Sequence, residues 1–147
     1  MKEKTSEDKS RGVYCLVLSL DKEKDIRIGR KRLKFPEGFY CYVGSALNNL
    51  EKRIERHIRI SSMGKKAGPL KWHIDYLTDQ ANVVNFKTIS IDKRIECKLS
   101  EMIKGLADGT VKDFGSSDCK CRGHLHYFKE SPMFLPEFHR IFEETRW

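Results

Sequence analysis

The sequence predicts a single α+β domain, because strand-like and helix-like runs alternate along it. "GVYCLVLSL" (12–20), "FYCYVG" (39–44) and "NVVNFKTISI" (82–91) are rich in Val, Ile, Tyr and Phe, the composition a pleated and partly buried surface favours. Around residues 50–58, 95–106 and 138–142, by contrast, apolar residues recur at helical spacing. The length of 147 residues is that of one domain of ordinary size. No internal repeat and no boundary interrupts residues 12–147, and residues 1–11, "MKEKTSEDKSR", read as a disordered polar tail.

In the first strand, Tyr14, Leu16 and Leu18 fall on one face and Val13, Cys15 and Val17 on the other. Both faces are apolar, so the strand is expected to be central and covered on both sides. "DKEKD" (21–25) is a polar turn, and "IRI" (26–28) pairs back as an arm of a basic hairpin. Pro36 and Gly38 punctuate a turn at 35–39. In the next strand Tyr40 and Tyr42 share a face by period two. A helix follows, with Leu50, Ile54 and Ile58 as its buried stripe, then a loop at 61–69. "LKWHIDYL" (70–77) is a short helix or turn anchored by Trp72 and Leu77, with His73 as a buried, hydrogen-bonded side chain or, alternatively, a group near a phosphate. Residues 95–107 form a helix with Ile95, Leu99, Met102 and Leu106 inward, which Gly105 and Gly109 weaken or end. Residues 114–128 start as a loop and finish as a strand. Residues 136–147 form a closing helix with Phe138, Ile141 and Phe142 on its apolar side.

The formal net charge is +8, an excess that favours polyanions such as nucleic acid. Its clustering sharpens the point. Arg27, Arg30, Lys31, Arg32 and Lys34 form one group, Lys52, Arg53, Arg56 and Arg59 a second, and Lys65, Lys66 and Lys71 a third. Arg30, Lys31, Arg32, Arg56 and Arg59 are the candidate contacts to substrate phosphates. No apolar run reaches the roughly 18 residues of a membrane span, and the N-terminus lacks the apolar core of a secretory signal. A cytoplasmic protein with no membrane partner is expected. Its five cysteines are then expected to be reduced thiols.

"GVY" at 12–14 and "YVG" at 42–44, then Arg53 on one helix and Glu96 on another, resemble the GIY-YIG nuclease superfamily. "GFYCYVGSAL", "RIERHI", "WHIDYL" and "FGSSDCKCRGHL" are similar to its Uri-type branch over about residues 12 to 128. The resemblance implies a small central antiparallel sheet of about three strands flanked by helices, with the basic hairpin arm added to it. It also implies phosphodiester hydrolysis with one divalent ion, Mg²⁺ or Mn²⁺. Carried over by position, Tyr14 and Tyr42 match the two motif tyrosines, Arg53 the helix arginine and His57 the aromatic or histidine one turn later. Glu96 matches the metal-binding glutamate. The stretch between the two tyrosines is longer and more basic than the family's usual connection. A late asparagine carried by many members has no clear counterpart, and Asp118 is the candidate substitute.

These residue types suit that chemistry. Phosphodiester hydrolysis needs an activated water, neutralisation of charge on phosphate and help for the leaving oxygen. Arg53 offers a planar fork of donors for phosphate, and His57, four residues on, emerges from the same helix face. Glu96 is a hard oxygen ligand of the kind Mg²⁺ takes in ones and twos. Tyr14 and Tyr42 can place hydroxyls over the sheet, although a tyrosine with a reference pKa of about 10 needs a cation beside it to accept a proton. The hydroxyls of Tyr14 and Tyr42 are therefore expected to face the same groove as Arg53 and His57.

Each residue also has an ordinary structural reading: strand tyrosines as core, Arg53 as surface, His57 at the core edge, Glu96 as solvated helix. The leading function is a metal-dependent endonuclease with nucleic acid as partner, DNA ahead of RNA. So small a domain leaves room for a protein partner that supplies specificity. One alternative is a nucleic-acid-binding module that keeps the fold without cutting. Another is a zinc-bound interaction domain built on Cys119, Cys121, His124 and His126, whose Cys-x-Cys spacing is tight for zinc. Asp75 and His124 are further candidate site residues.

Overall fold

In the computed structural model of the chain, residues 11–90, 95–112, 114 and 124–143 are described. The elements run β1 (Gly12–Leu20), β2 (Lys24–Ile28), β3 (Lys31–Phe35), β4 (Gly38–Ala46), α1 (Leu50–Met63), α2 (His73–Gln80), β5 (Asn82–Ser90), α3 (Glu96–Lys104), β6 (Gly109–Val111), β7 (Leu125–Phe128) and α4 (Pro136–Glu143). The α+β architecture with an antiparallel sheet is as the sequence predicts.

The main sheet has the order β5-β1-β4-β7-β6, with every adjacent pair antiparallel. It has five strands where about three are expected. β7, of 4 residues, is the strand expected at the end of 114–128; the addition is β6, of 3 residues, too short to show a period in sequence. β1 and β4 pair along their whole lengths, from Gly12–Ala46 to Leu20–Gly38. The two-faced burial of β1 is realised. Tyr14, Leu16, Leu18 and Leu20 join Tyr40, Leu50, Ile54, Ile74 and Leu77 in one core under α1 and α2. Val13, Cys15, Val17, Cys41 and Val43 join Leu99, Ile103, Phe138 and Ile141 in another under α3 and α4.

β2 and β3 form a separate two-stranded sheet. Its buried residues Ile26, Ile28 and Phe35 belong to the first core, while Arg30, Lys31 and Arg32 remain exposed. The turn from β3 to β4 is tied by two tyrosines: Tyr40 Oη donates to the Pro36 carbonyl and Tyr127 Oη to the Glu37 carbonyl, each at 2.6 Å.

Several helix details differ from the sequence reading. The stripe of α1 is Leu50, Ile54, His57 and Ile60, and Ile58 is 40 % exposed. A polar residue, His57, occupies the inward position, so the stripe is rotated away from Ile58. α1 also runs on through Ser61 and Ser62 into the expected loop, and Gly64–Ala67 continue as a 3₁₀ turn. Ser61 Oγ donates to the Ala81 carbonyl and accepts from Val83 N, which pins this helix end to the start of β5. In α3 the fully buried positions are Leu99, Ser100 and Ile103, with Met102 and Leu106 at the margin of the core. α2 is anchored by Ile74 and Leu77, whereas Trp72 is 40 % exposed. Cys15 and Cys41 are buried free thiols. Cys97 is disulfide-bonded, which departs from the expectation of reduced thiols.

Candidate active site

Tyr14 lies in the central strand and pairs across the sheet with Gly44. The glycine explains how the tyrosine reaches the site. A Cβ at position 44 would stand 2.5 Å from Tyr14 Oη and 2.6 Å from Cζ, so only a residue without a side chain lets the phenol cross over β4. Tyr42, two residues earlier on β4, shares that face, and the two rings are 6.4 Å apart. Gly44→Ala should therefore destabilise the fold by about 1–3 kcal/mol, as overpacking of a filled core does. Removing the ring as well, in Tyr14→Ala/Gly44→Ala, should cost less than the sum of the two single changes. Urea denaturation of the three variants reads this coupling, and simple additivity would show that the ring is not what excludes Cβ.

α1 lays His57 across the tyrosines. Its Nε2 is 2.9 Å from Tyr14 Oη, and its ring is 6.3 Å from that of Tyr42. His57 is fully buried, deeper than a position at the rim. Burial lowers its pKa from 6.5 to about 4, helped by Arg56 and Arg53 and opposed by Asp75; the imidazole is neutral at pH 7. Its Nδ1 has no hydrogen-bond partner among the described residues. A buried N–H without a partner is costlier than an under-used acceptor, so we assign the proton to Nε2, which donates to the Tyr14 oxygen. Burial also drives both tyrosine pKa values well above the ordinary range, while the nearby Arg53 guanidinium pulls each down.

Arg53 Nη1 donates to the Ser45 carbonyl at 3.2 Å, and its guanidinium carbon sits 4.9 Å from the centre of the Trp72 ring. Ser45 Oγ in turn donates to Glu96 Oε1 at 2.6 Å. Glu96 begins α3, on the opposite face of the sheet from α1, and reaches the site around the end of β4. Its other oxygen is 2.8 Å from His124 Nδ1. His124 is held there by backbone bonds, its N to the Phe114 carbonyl and its carbonyl to Val43 N. Tyr14, Tyr42, Arg53, His57 and Glu96 thus come together from β1, β4, α1 and α3, with both phenols on the Arg53 and His57 side.

For a divalent ion the donor set is spare but suitable. Glu96 is 24 % exposed in its side chain, and a carboxylate offers about four lone-pair sites over its two oxygens. Among the described residues no three His, Cys, Asp or Glu stand together. An ion here would be held by one carboxylate, with water and phosphate oxygens completing its shell, as Mg²⁺ tolerates.

Other candidates do not join the site as expected. Arg56 gives both of its terminal nitrogens to Asp75, at 2.9 and 2.8 Å, so its fork is occupied and it is no free phosphate contact. Asp75 is fully buried and also accepts from the backbone N of Lys71 and Trp72; it is a structural carboxylate. His73 is exposed and packs edge-on to Phe114, 5.9 Å away, not a buried hydrogen-bonded group. Arg59 is exposed on α1. Asp118, Cys119 and Cys121 lie outside the described residues. His126 is buried between Ser100 Oγ at 2.7 Å and Thr110 Oγ1 at 2.9 Å, a satisfied core histidine whose pKa burial lowers to about 4.

The sequence reading missed Ser45, which touches both Arg53 and Glu96, and the stacking of Trp72 on the arginines. The signal for Ser45 was its place directly after the glycine that admits Tyr14.

The model of the family described as Domain of unknown function DUF123 matches residues 13–147, and the chain belongs to that family. No curated protein and no solved structure matches it.

Proposed function

We propose that this member of the DUF123 family is a divalent-metal-dependent endonuclease with a site of the GIY-YIG type, hydrolysing phosphodiester bonds in DNA. The observation that carries the reading is the meeting of two phenols, an arginine, a neutral histidine and a single carboxylate from four separate elements. Arg53, held by the Ser45 carbonyl and the Trp72 ring, presents its remaining donors to a phosphate. The raised pKa of Tyr14 keeps it protonated at rest; it releases that proton to solvent when positive charge is close by, and the phenolate then orients the attacking water and takes its proton. A divalent ion on Glu96 would supply that charge and the Lewis acidity for the leaving oxygen, worth several kcal/mol. His57, donating from Nε2, fixes the Tyr14 oxygen and stabilises negative charge on it. Tyr42 closes the other side of the water.

Labelled flaps, junctions, single strands and duplexes, each with Mg²⁺ or Mn²⁺, test the reading. Cleavage of at least one is expected; binding without cleavage of any would leave a nucleic-acid-binding module. No helix among the described residues is long and apolar enough to cross a membrane, and the proposed substrate goes with a cytoplasmic location.

The exposed cations of the β2–β3 hairpin extend the phosphate contacts. Binding should weaken with salt at a slope of about −0.9 per phosphate contact on B-form DNA. Replacing Arg30, Lys31 and Arg32 by Ala should flatten that slope. An unchanged slope would leave the arm as solvated surface.

A further inference from the structure

We infer that Trp72 is a stacking platform for an unpaired nucleobase beside the phosphate held by Arg53, so that the site takes single-stranded or locally unpaired nucleic acid. This rests on the nucleic-acid reading above and names the substrate form.

Three observations carry it. First, the indole is exposed on a backbone that is fixed. It is 40 % exposed, yet its backbone N is held by Asp75 Oδ2 at 3.0 Å, and that carboxylate is itself buried and gripped by Arg56. The chain commits a buried, multiply bonded carboxylate to the placement of a large apolar ring that stays in contact with water. Second, among the described residues the cations and the aromatic ring that meet the indole come from α1. Arg53 and Arg56 place guanidinium carbons 4.9 and 4.5 Å from its centre, and His57 lies 6.3 Å away. The surface that stays exposed, 40 % of the residue, is where we place a planar ligand. Third, the ring adjoins Arg53, so a base attached next to the bound phosphate is within its reach. Base pairs in an intact duplex are stacked on one another, and only an unpaired base can turn its face to the indole.

The test is binding in EDTA, where cleavage plays no part. Trp72 and Trp147 are the two tryptophans of the chain, so a Trp147→Phe background isolates the Trp72 fluorescence. Titration with a short oligothymidylate should quench it. A fully paired duplex of equal length, or an abasic strand of the same charge, should bind with little quenching. Trp72→Ala should weaken oligothymidylate binding about tenfold to a hundredfold and duplex binding much less, and Trp72→Phe should keep most of the preference. Circular dichroism confirms folding of the variants, and the quenching readout needs no change at position 72. Equal quenching by duplex and abasic strand, or single-strand affinity unchanged in Trp72→Ala, would overturn the inference. Absence of any nucleic-acid binding by the parent would overturn it together with the proposed function. Stacking by a parent that cleaves nothing would remove only the enzyme assignment.

Discussion

Glu96→Gln should hold its substrate and fail to cut it. The change keeps shape and volume and removes the charge that would bind a divalent ion. The fold should survive it. Glu and Gln have similar helix propensities, and Leu99 and Ile103 still pack under the sheet. Glu96 is the acidic residue in the first turn of α3, so some dipole stabilisation is lost, about 0.3–1 kcal/mol. The glutamine carbonyl can still accept from Ser45 Oγ, now 2.6 Å from the carboxylate. Cleavage has no such substitute. Losing a Lewis acid worth several kcal/mol, at about tenfold in rate per 1.4 kcal/mol, should lower turnover by orders of magnitude. Binding in EDTA should stay level or tighten, because a negative charge next to the phosphate is gone. Gel-based cleavage and anisotropy on the same preparation measure both. Turnover near the parent's, with Mg²⁺ or Mn²⁺ present, would remove Glu96 from the mechanism.

Much of this arrangement is legible in the sequence because strand and helix periods place side chains by simple arithmetic. Period two sets Tyr14 apart from Val13 and Cys15 and puts Tyr40 with Tyr42. Helical spacing puts Arg53 and His57 on one side of α1. The short strand β6 escapes this arithmetic because it holds too few residues for a period to show. The inward turn of His57 escapes it for another reason: a histidine counts as polar in any apolar pattern, so the stripe is drawn through Ile58 and comes out rotated.

Pair formation between segments is the other blind spot. Arg56 looks like its neighbour Arg53 in sequence, each a cation on the same helix. The difference lies in Asp75, 19 residues on, which takes the fork of Arg56, while Arg53 bonds the Ser45 carbonyl. His73 and Trp72 are both exposed, against their expected burial, for the same reason. Once Asp75 turns inward to accept from the backbone N of Lys71 and Trp72, the first turn of α2 is oriented, and Ile74 and Leu77 become its anchors.

Asp75 accordingly carries the second large expectation, one of stability. Its carboxylate is fully buried and accepts from both terminal nitrogens of Arg56 and from two backbone N–H groups. Asp75→Ala leaves the Arg56 guanidinium, only 23 % exposed, without its partner, and frees two backbone donors. Breaking a buried pair from one side costs about 3–5 kcal/mol, a large part of the roughly 5–15 kcal/mol that holds a domain together. Urea or thermal melts should register it. The acid limb of stability should change as well. Burial pushes the Asp75 pKa up, but the bonds from Arg56, Trp72 and Lys71 outweigh it and the net shift is downward. A carboxylate held below its unfolded value of about 3.9 contributes fully above that pH, and the contribution is lost as pH falls through the lower folded value. Asp75→Asn should therefore flatten the fall in stability below about pH 4 while starting from a lower plateau. Activity should decline along with stability, because Trp72 and the Arg53 beside it lose their support. A variant that melts like the parent yet no longer cleaves would place Asp75 in the chemistry itself, and Arg56 would then be its catalytic partner, not its structural one.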